Sequence, residues 1–173
     1  RSFRRWVNAV DQNHAGQLHD HDGAGCRAVL DLEELPFGDG DRLILYVPSD
    51  RSVEQRRTVL DTWYRTQLRE AIPGLISTWE SKLDTQVPDW IIRRMRTKWG
   101  TCNRETRRLT FNVELAKKHP DCLEYIVVHE LVHLLEPTHN AQFIALMDSY
   151  LPHWRQLRQR LNSLPIRQEE WGY

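Results

Sequence analysis

Three histidines and two glutamates interrupt an otherwise apolar run, VVHELVHLLEPTHNAQF, and their spacing has chemical content. His129 and His133 fall one helical turn apart, a rise of about 6 Å on one face, so their imidazole nitrogens can converge on one zinc ion at about 2.0 to 2.1 Å. Glu130, between them, is not a ligand. It projects beside the metal position, where its carboxylate can take a proton from a water whose pKa the zinc lowers to about 7. The HExxH spacing therefore points to hydroxide as nucleophile and Glu130 as general base. A catalytic zinc takes three protein ligands and leaves a fourth place for water. His139 is the first candidate for the third ligand, because Pro137 ends the helix ahead of it and lets the chain turn back. Glu136 shares the helical arc, but its rise of about 10 Å from His129 is long for one small ion. Glu169 or Glu170, remote in sequence, is a third option. HELVHLLEPTH has the spacing HExxHxxGxxH, with Glu136 where that pattern keeps glycine.

The element carrying these groups is predicted to be a helix from Pro120 to about Glu136. Pro120 suits the first helical position, where a missing N–H is no loss, and Asp121 and Glu124 put negative charge where the helix dipole favours it. With His129 set at zero on a helical wheel, His133 lies near 40° and Glu130 near 100°. Leu123, Tyr125, Val127, Val128, Leu131, Val132, Leu134 and Leu135 sweep the rest. A helix apolar over most of its circumference is buried, and unpaired polar groups there cost several kcal/mol each, so the polar notch needs a function.

Upstream, CRAVLDLEEL and DRLILYVPS read as two strands joined through the turn residues PFGDGD. From Ser52 the period becomes helical, with Ser52 and Gln55 forming a capping box and Val59, Leu60, Trp63, Tyr64 and Leu68 an apolar face. Pro73 and Gly74 are expected to break this helix from a second piece, LISTWESKLD. WIIRRMRTKWGTC and RRLTFNVEL read as strands turning at NRET, and the remainder as three helical pieces divided at 136–139 and 151–152. That order predicts an α+β fold, a small, mostly antiparallel sheet packed on helices. Residues 1–25, which include NHAGQLHDHDGAG, read as a mobile lead-in whose His14, His19 and His21 are polar loop residues, and residues 26–173 as a single domain.

Composition bounds the function classes. The 173 residues suffice for one core, and 28% charged residues with a formal net charge of zero give no global argument for a nucleic-acid or membrane partner. No apolar run approaches the roughly 20 residues that cross a bilayer, and RSFRRWVNAV lacks the apolar centre of a secretory signal. Cys26, Cys102 and Cys122 are odd in number and scattered, which fits reduced thiols and a soluble cytoplasmic protein. Locally, Arg93, Arg94, Arg96, Lys98, Arg104, Arg107 and Arg108 face only Glu105. Strand alternation would put Arg94, Arg96 and Lys98 on one face, so the alternative is a nucleic-acid-associated module with structural zinc. A structural site closes the fourth position with a protein ligand, whereas a hydrolase leaves it to water.

RRMRTKWGTC, LTFNVEL and LEYIVVHELVHLLEPTHNAQFIALM together closely resemble the YgjP-like metallopeptidase domain, a bacterial zincin family of metal-dependent hydrolases. The likeness runs from about Arg27 to Leu161. It falls on Trp99, Gly100, Thr101 and Cys102, on Asn112, on His129 to His133, and on Thr138, His139, Asn140 and Phe143. The resemblance implies a zincin-like fold with an active-site helix, zinc on His129, His133 and His139, Glu130 as the catalytic acid/base, and a protein or peptide substrate. Thr101, Thr138 and Asn140 depart from the family pattern at positions that are not metal ligands, which bears on substrate preference. Trp99 reads as core, Gly100 as a bulge or a close backbone approach, and Cys102 as a small buried thiol or else a thiol that holds the zinc latent. In zincins generally a strand beside the active helix pairs with an extended substrate, and either Trp90–Thr101 or Arg107–Val113 could be that edge. Tyr150, His153 and Asn112 are candidate oxyanion donors.

Overall fold

The computed structural model describes residues 25–31, 42–48 and 52–163. The histidine-rich lead-in, the PFGDGD turn and Glu169 and Glu170 lie outside them. β1 (Gly25–Asp31) and β2 (Arg42–Pro48) form an antiparallel pair, as expected of two strands joined through a turn.

Helix α1 runs unbroken from Val53 to Leu83. Its start is the expected capping box: Gln55 N–H donates to Ser52 Oγ at 3.3 Å, and Ser52 N–H donates to Gln55 Oε1 at 2.9 Å. The predicted break at Pro73 does not occur. Proline in a helix interior removes a hydrogen bond and costs about 3 kcal/mol. Burial outweighs that here, because Leu60, Tyr64, Leu68, Ile72, Ile76, Trp79 and Leu83 form one buried stripe at helical spacing across the proline. Pro73 and Gly74 sit on the exposed side. The helix ends at Asp84, whose left-handed backbone (φ 46°) turns its N–H back to the Glu80 carbonyl.

A three-stranded sheet follows: β3 (Asp89–Arg93), β4 (Gly100–Asn103) and β5 (Arg108–Asn112), in the order β3-β5-β4. β4 and β5 are the predicted antiparallel hairpin, while β3 runs parallel to β5 on its other side, so the sheet is mixed. Trp90–Thr101 is thus not one strand. The chain leaves β3 at Arg93 and passes across the end of β5 before β4 begins. Asn112, fully buried, stands in for the missing strand pairing. Its amide donates to the Met95 and Lys98 carbonyls at 2.9 and 2.8 Å, its Oδ1 accepts from Met95 and Glu114 N–H at 3.3 and 3.2 Å, and its own N–H reaches the Trp99 carbonyl at 2.9 Å. With β5 central, Arg107–Val113 cannot be an edge. Among the described residues the edges are β3 and β4.

Beyond a 3-10 turn (Val113–Lys117), α2 spans Pro120–Val132, α3 Ala141–Tyr150 and α4 Trp154–Asn162. The predicted three helical pieces are present, but α2 stops at Val132 rather than near Glu136. The next residues tighten: Leu134 and Leu135 N–H bond to the carbonyls of Leu131 and Val132, and the Glu136 N–H also bonds to Val132. Val127, Val128, Leu131 and Val132 are completely buried, because α2 packs against α1, β4, α3 and α4. Leu109 and Phe111 of β5 complete the core on the sheet side. No described helix is long and apolar enough to cross a membrane.

Candidate metal centre

α2 presents His129 and His133 one turn apart, and the turn after it brings back His139. Glu136 builds that turn: its carboxylate accepts the backbone N–H and the hydroxyl of Thr138 at 3.1 and 3.0 Å, and Asn140 then caps α3 by accepting from Gln142 and Phe143 N–H. Glu136 therefore holds the loop, and His139 is the residue whose ring joins those of His129 and His133. Ring centroids of His129 and His133 are 4.8 Å apart, of His129 and His139 5.0 Å, and of His133 and His139 4.7 Å. Phe143, from α3, lies against all three rings and backs the cluster with an apolar wall.

These donors fit a zinc ion. One nitrogen from each ring lies within 4.8 Å of the others, and the Nε2 atoms of His129 and His139 are 3.1 Å apart. Tetrahedral ligands at about 2.0 to 2.1 Å from a metal stand about 3.4 Å from one another. His133 Nδ1 donates to the Glu136 carbonyl at 3.1 Å, which fixes the ring's tautomer and leaves Nε2 for a metal. Burial pushes His129 down to about 3, helped by the neighbouring His133 and His139, and burial also lowers His133. Both are therefore neutral at pH 7, the protonation state that ligates. His129 Nδ1 is buried with no hydrogen-bond partner among the described residues. No fourth His, Cys, Asp or Glu joins the cluster among those residues.

Glu130, the residue after His129 on α2, lies against β4, with its carboxylate beside Gly100. It is 4% exposed, and burial raises its carboxyl to about 8, opposed only by the charge of Lys98. Cys102, on β4, is a half-buried free thiol whose pKa burial and then Glu130 push up to about 11. Its sulfur is not among the ligand atoms that gather at the three histidines, so the expectation of a thiol holding the zinc latent finds no support in the geometry. Asn112, considered above as an oxyanion donor, is fully buried with its amide engaged in the crossing chain, so it is structural. Tyr150 ends α3, packed on the core, and His153 is exposed ahead of α4.

The basic strand face is also redrawn. Because β3 ends at Arg93, alternation no longer aligns Arg94, Arg96 and Lys98. Arg94 instead joins the buried Glu114 and Asp61 in an ionic network with Lys117 and Arg65. Arg108 pairs with Asp89, and Arg107 donates to the Gln86 carbonyl and to Thr85 Oγ1 at 2.9 and 2.7 Å. The sequence pointed to this region by charge alone, and its internal acids and carbonyls were not visible as partners.

The sequence profile of the YgjP-like, metallopeptidase domain family matches residues 16–164. The chain belongs to that family. YgjP-like membership makes it a metallopeptidase-family hydrolase, acting on peptide bonds with a bound metal ion. No curated protein matches it. Among solved structures it is similar to the metallopeptidase zymogen abylysin of Pyrococcus abyssi, at 20% identity and a TM-score of 0.49 over 53% of this chain and 92% of that one. The zymogen jannalysin of Methanocaldococcus jannaschii is similar at 18% identity and a TM-score of 0.47, over 54% of this chain and 88% of that one.

Proposed function

We propose that this YgjP-like chain is a zinc-dependent peptidase of the HExxH type, in which His129, His133 and His139 hold the metal and Glu130 is the general base. The single observation that carries the reading is the convergence of three ring nitrogens within 4.8 Å, one residue along the helix from a buried carboxylate. A zinc ion held by His129, His133 and His139 would supply Lewis acidity, which lowers the pKa of a bound water to about 7. His133, oriented by the Glu136 carbonyl, and His139, returned by the Glu136–Thr138 turn, fix where that chemistry occurs. A zinc ion beside Glu130 would favour the ionised carboxylate, the form in which it would take the proton of the attacking water and later deliver it to the leaving amine. The seat of Glu130 in the α2–β4 seam keeps solvent from competing for that proton. A structural zinc site would have no use for a buried carboxylate next to its ligands, and three histidines with no fourth ligand among the described residues match the ligand set of a hydrolase better than that of the nucleic-acid module.

The substrate class is protein or peptide. Residues 26–173 act as one peptidase domain, with 1–25 as a lead-in. The free thiols Cys102 and Cys122 suit a reducing compartment such as the cytoplasm. Elemental analysis and hydrolysis of a casein-like substrate test the assignment together. Glu130→Gln should keep one zinc per chain and lose hydrolysis, while His139→Ala should weaken zinc binding beyond the 10- to 100-fold expected from losing an outer-shell partner. Unchanged affinity in His139→Ala would move the third ligand elsewhere.

A further inference from the structure

The seam between α2 and β4 is tightest where Glu130 meets Gly100. A Cβ built on Gly100 falls 2.5 Å from Glu130 Oε1, 2.8 Å from Glu130 Cγ and 2.9 Å from Ile126 Cγ2. Nonbonded carbon contacts are stable at about 3.5 to 4.0 Å, so a side chain at 100 and the carboxylate in its present place exclude each other. Backbone conformation does not demand this glycine, since its φ lies outside the left-handed region. Space alone demands it.

Little else at the seam can yield. β4 is held by its pairing, with Gly100 opposite Phe111, and by the Asn112 N–H bonded to the Trp99 carbonyl, while the Asn112 amide grips the incoming chain at Met95 and Lys98. Trp99 itself is buried. On the other side α2 is locked by the fully buried Val127, Val128 and Leu131. The side chains of Glu130 and Ile126 are what remain to move, the tightest contact is to the Glu130 carboxylate, and with Glu130 4% exposed a rotation takes that carboxylate out of a closed seat.

We propose that Gly100 is a positioning residue for hydrolysis: its missing side chain is the space that sets where the Glu130 carboxylate stands. This rests on the reading of Glu130 as the base. A Cβ at 100 displaces the carboxylate while leaving the three imidazoles, on the other arc of α2 and in the following turn, where they are.

The test compares Gly100→Ala, Glu130→Gln and the double variant, each loaded with zinc, on a casein-like peptide. Displacements of about 1 Å at a reacting group can lower rates by about 100-fold. Gly100→Ala is expected to lower kcat by about 10- to 100-fold with KM and zinc content retained, and the double variant to be no slower than Glu130→Gln alone. In crystals of metal-free Gly100→Ala, the Glu130 carboxylate should have left its seat while the three rings stay together. A kcat within about twofold of the parent, or losses that multiply in the double variant, overturns the proposal while leaving Glu130 as base. Parental activity in Glu130→Gln overturns both. If Gly100→Ala does not fold, Gly100→Ala/Ile126→Ala gives the new methyl the room of Ile126 Cγ2. A deficit of about tenfold or more against Ile126→Ala alone supports the proposal, and equal rates overturn it.

Discussion

Replacing Glu130 by glutamine should make the metal-free protein more stable at neutral pH, and the size of the gain follows from the burial of the carboxyl. Glu130 has a folded pKa of about 8 against 4.5 for the ordinary side chain. The folded state therefore holds a proton that the unfolded state has released between those two values. A raised pKa stabilises fully below pH 4.5, and that contribution is lost as pH rises toward 8. At about 1.4 kcal/mol per pH unit, the loss is under about 1 kcal/mol at pH 5 and about 3 kcal/mol at pH 7. Glutamine copies the neutral acid's shape and cannot ionise, so the variant escapes this loss. For a chain of this length 1 kcal/mol moves Tm by about 2 to 4 °C, which places the gain at about 6 to 12 °C at pH 7 and at about 2 to 3 °C at pH 5. Thermal unfolding of chelator-treated parent and Glu130→Gln at the two pH values reads the difference directly. A gap that does not widen with pH, or a parent more stable at pH 7, would refute a carboxyl buried and neutral in this seam.

Two further outcomes test the fold that supports the site. Asn112→Ala leaves the Met95 and Lys98 carbonyls without their donor, and at about 1 to 3 kcal/mol per unsatisfied buried group it should lower stability by about 3 kcal/mol or more in chemical denaturation; a change below about 1 kcal/mol would show that the crossing chain is held by other means. Pro73→Ala should raise stability by about 1 to 3 kcal/mol by restoring a helical donor at an exposed site, and an unchanged denaturation midpoint would mean that α1 bends there without loss.

Much of the site was legible because it is local. His129, Glu130 and His133 are related by helical geometry alone, Pro137 announces the turn, and both the Ser52 cap and the β4–β5 hairpin depend on residues within a few positions of each other. What the sequence hid depends on partners distant along the chain. Pro73 looks like a terminator until Ile72 and Ile76 are seen buried on either side of it. The arginines after Arg93 look like a strand face until Asn112, nearly twenty residues on, is found holding the chain out of the sheet. Gly100 could be read as a place of close approach, yet nothing in the neighbouring letters says that the approaching atom belongs to Glu130.

The outer edge of β4 also bears on how this protein behaves in a crowded solution. Among the described residues that edge has no partner strand, and sheet edges of that kind are where chains stick to one another. β4 spans only Gly100–Asn103, with exposed Lys98 before it and exposed Arg104 after it. A short edge guarded at each end by a cation repels its own copy, so a strand edge beside Glu130 need not invite self-association.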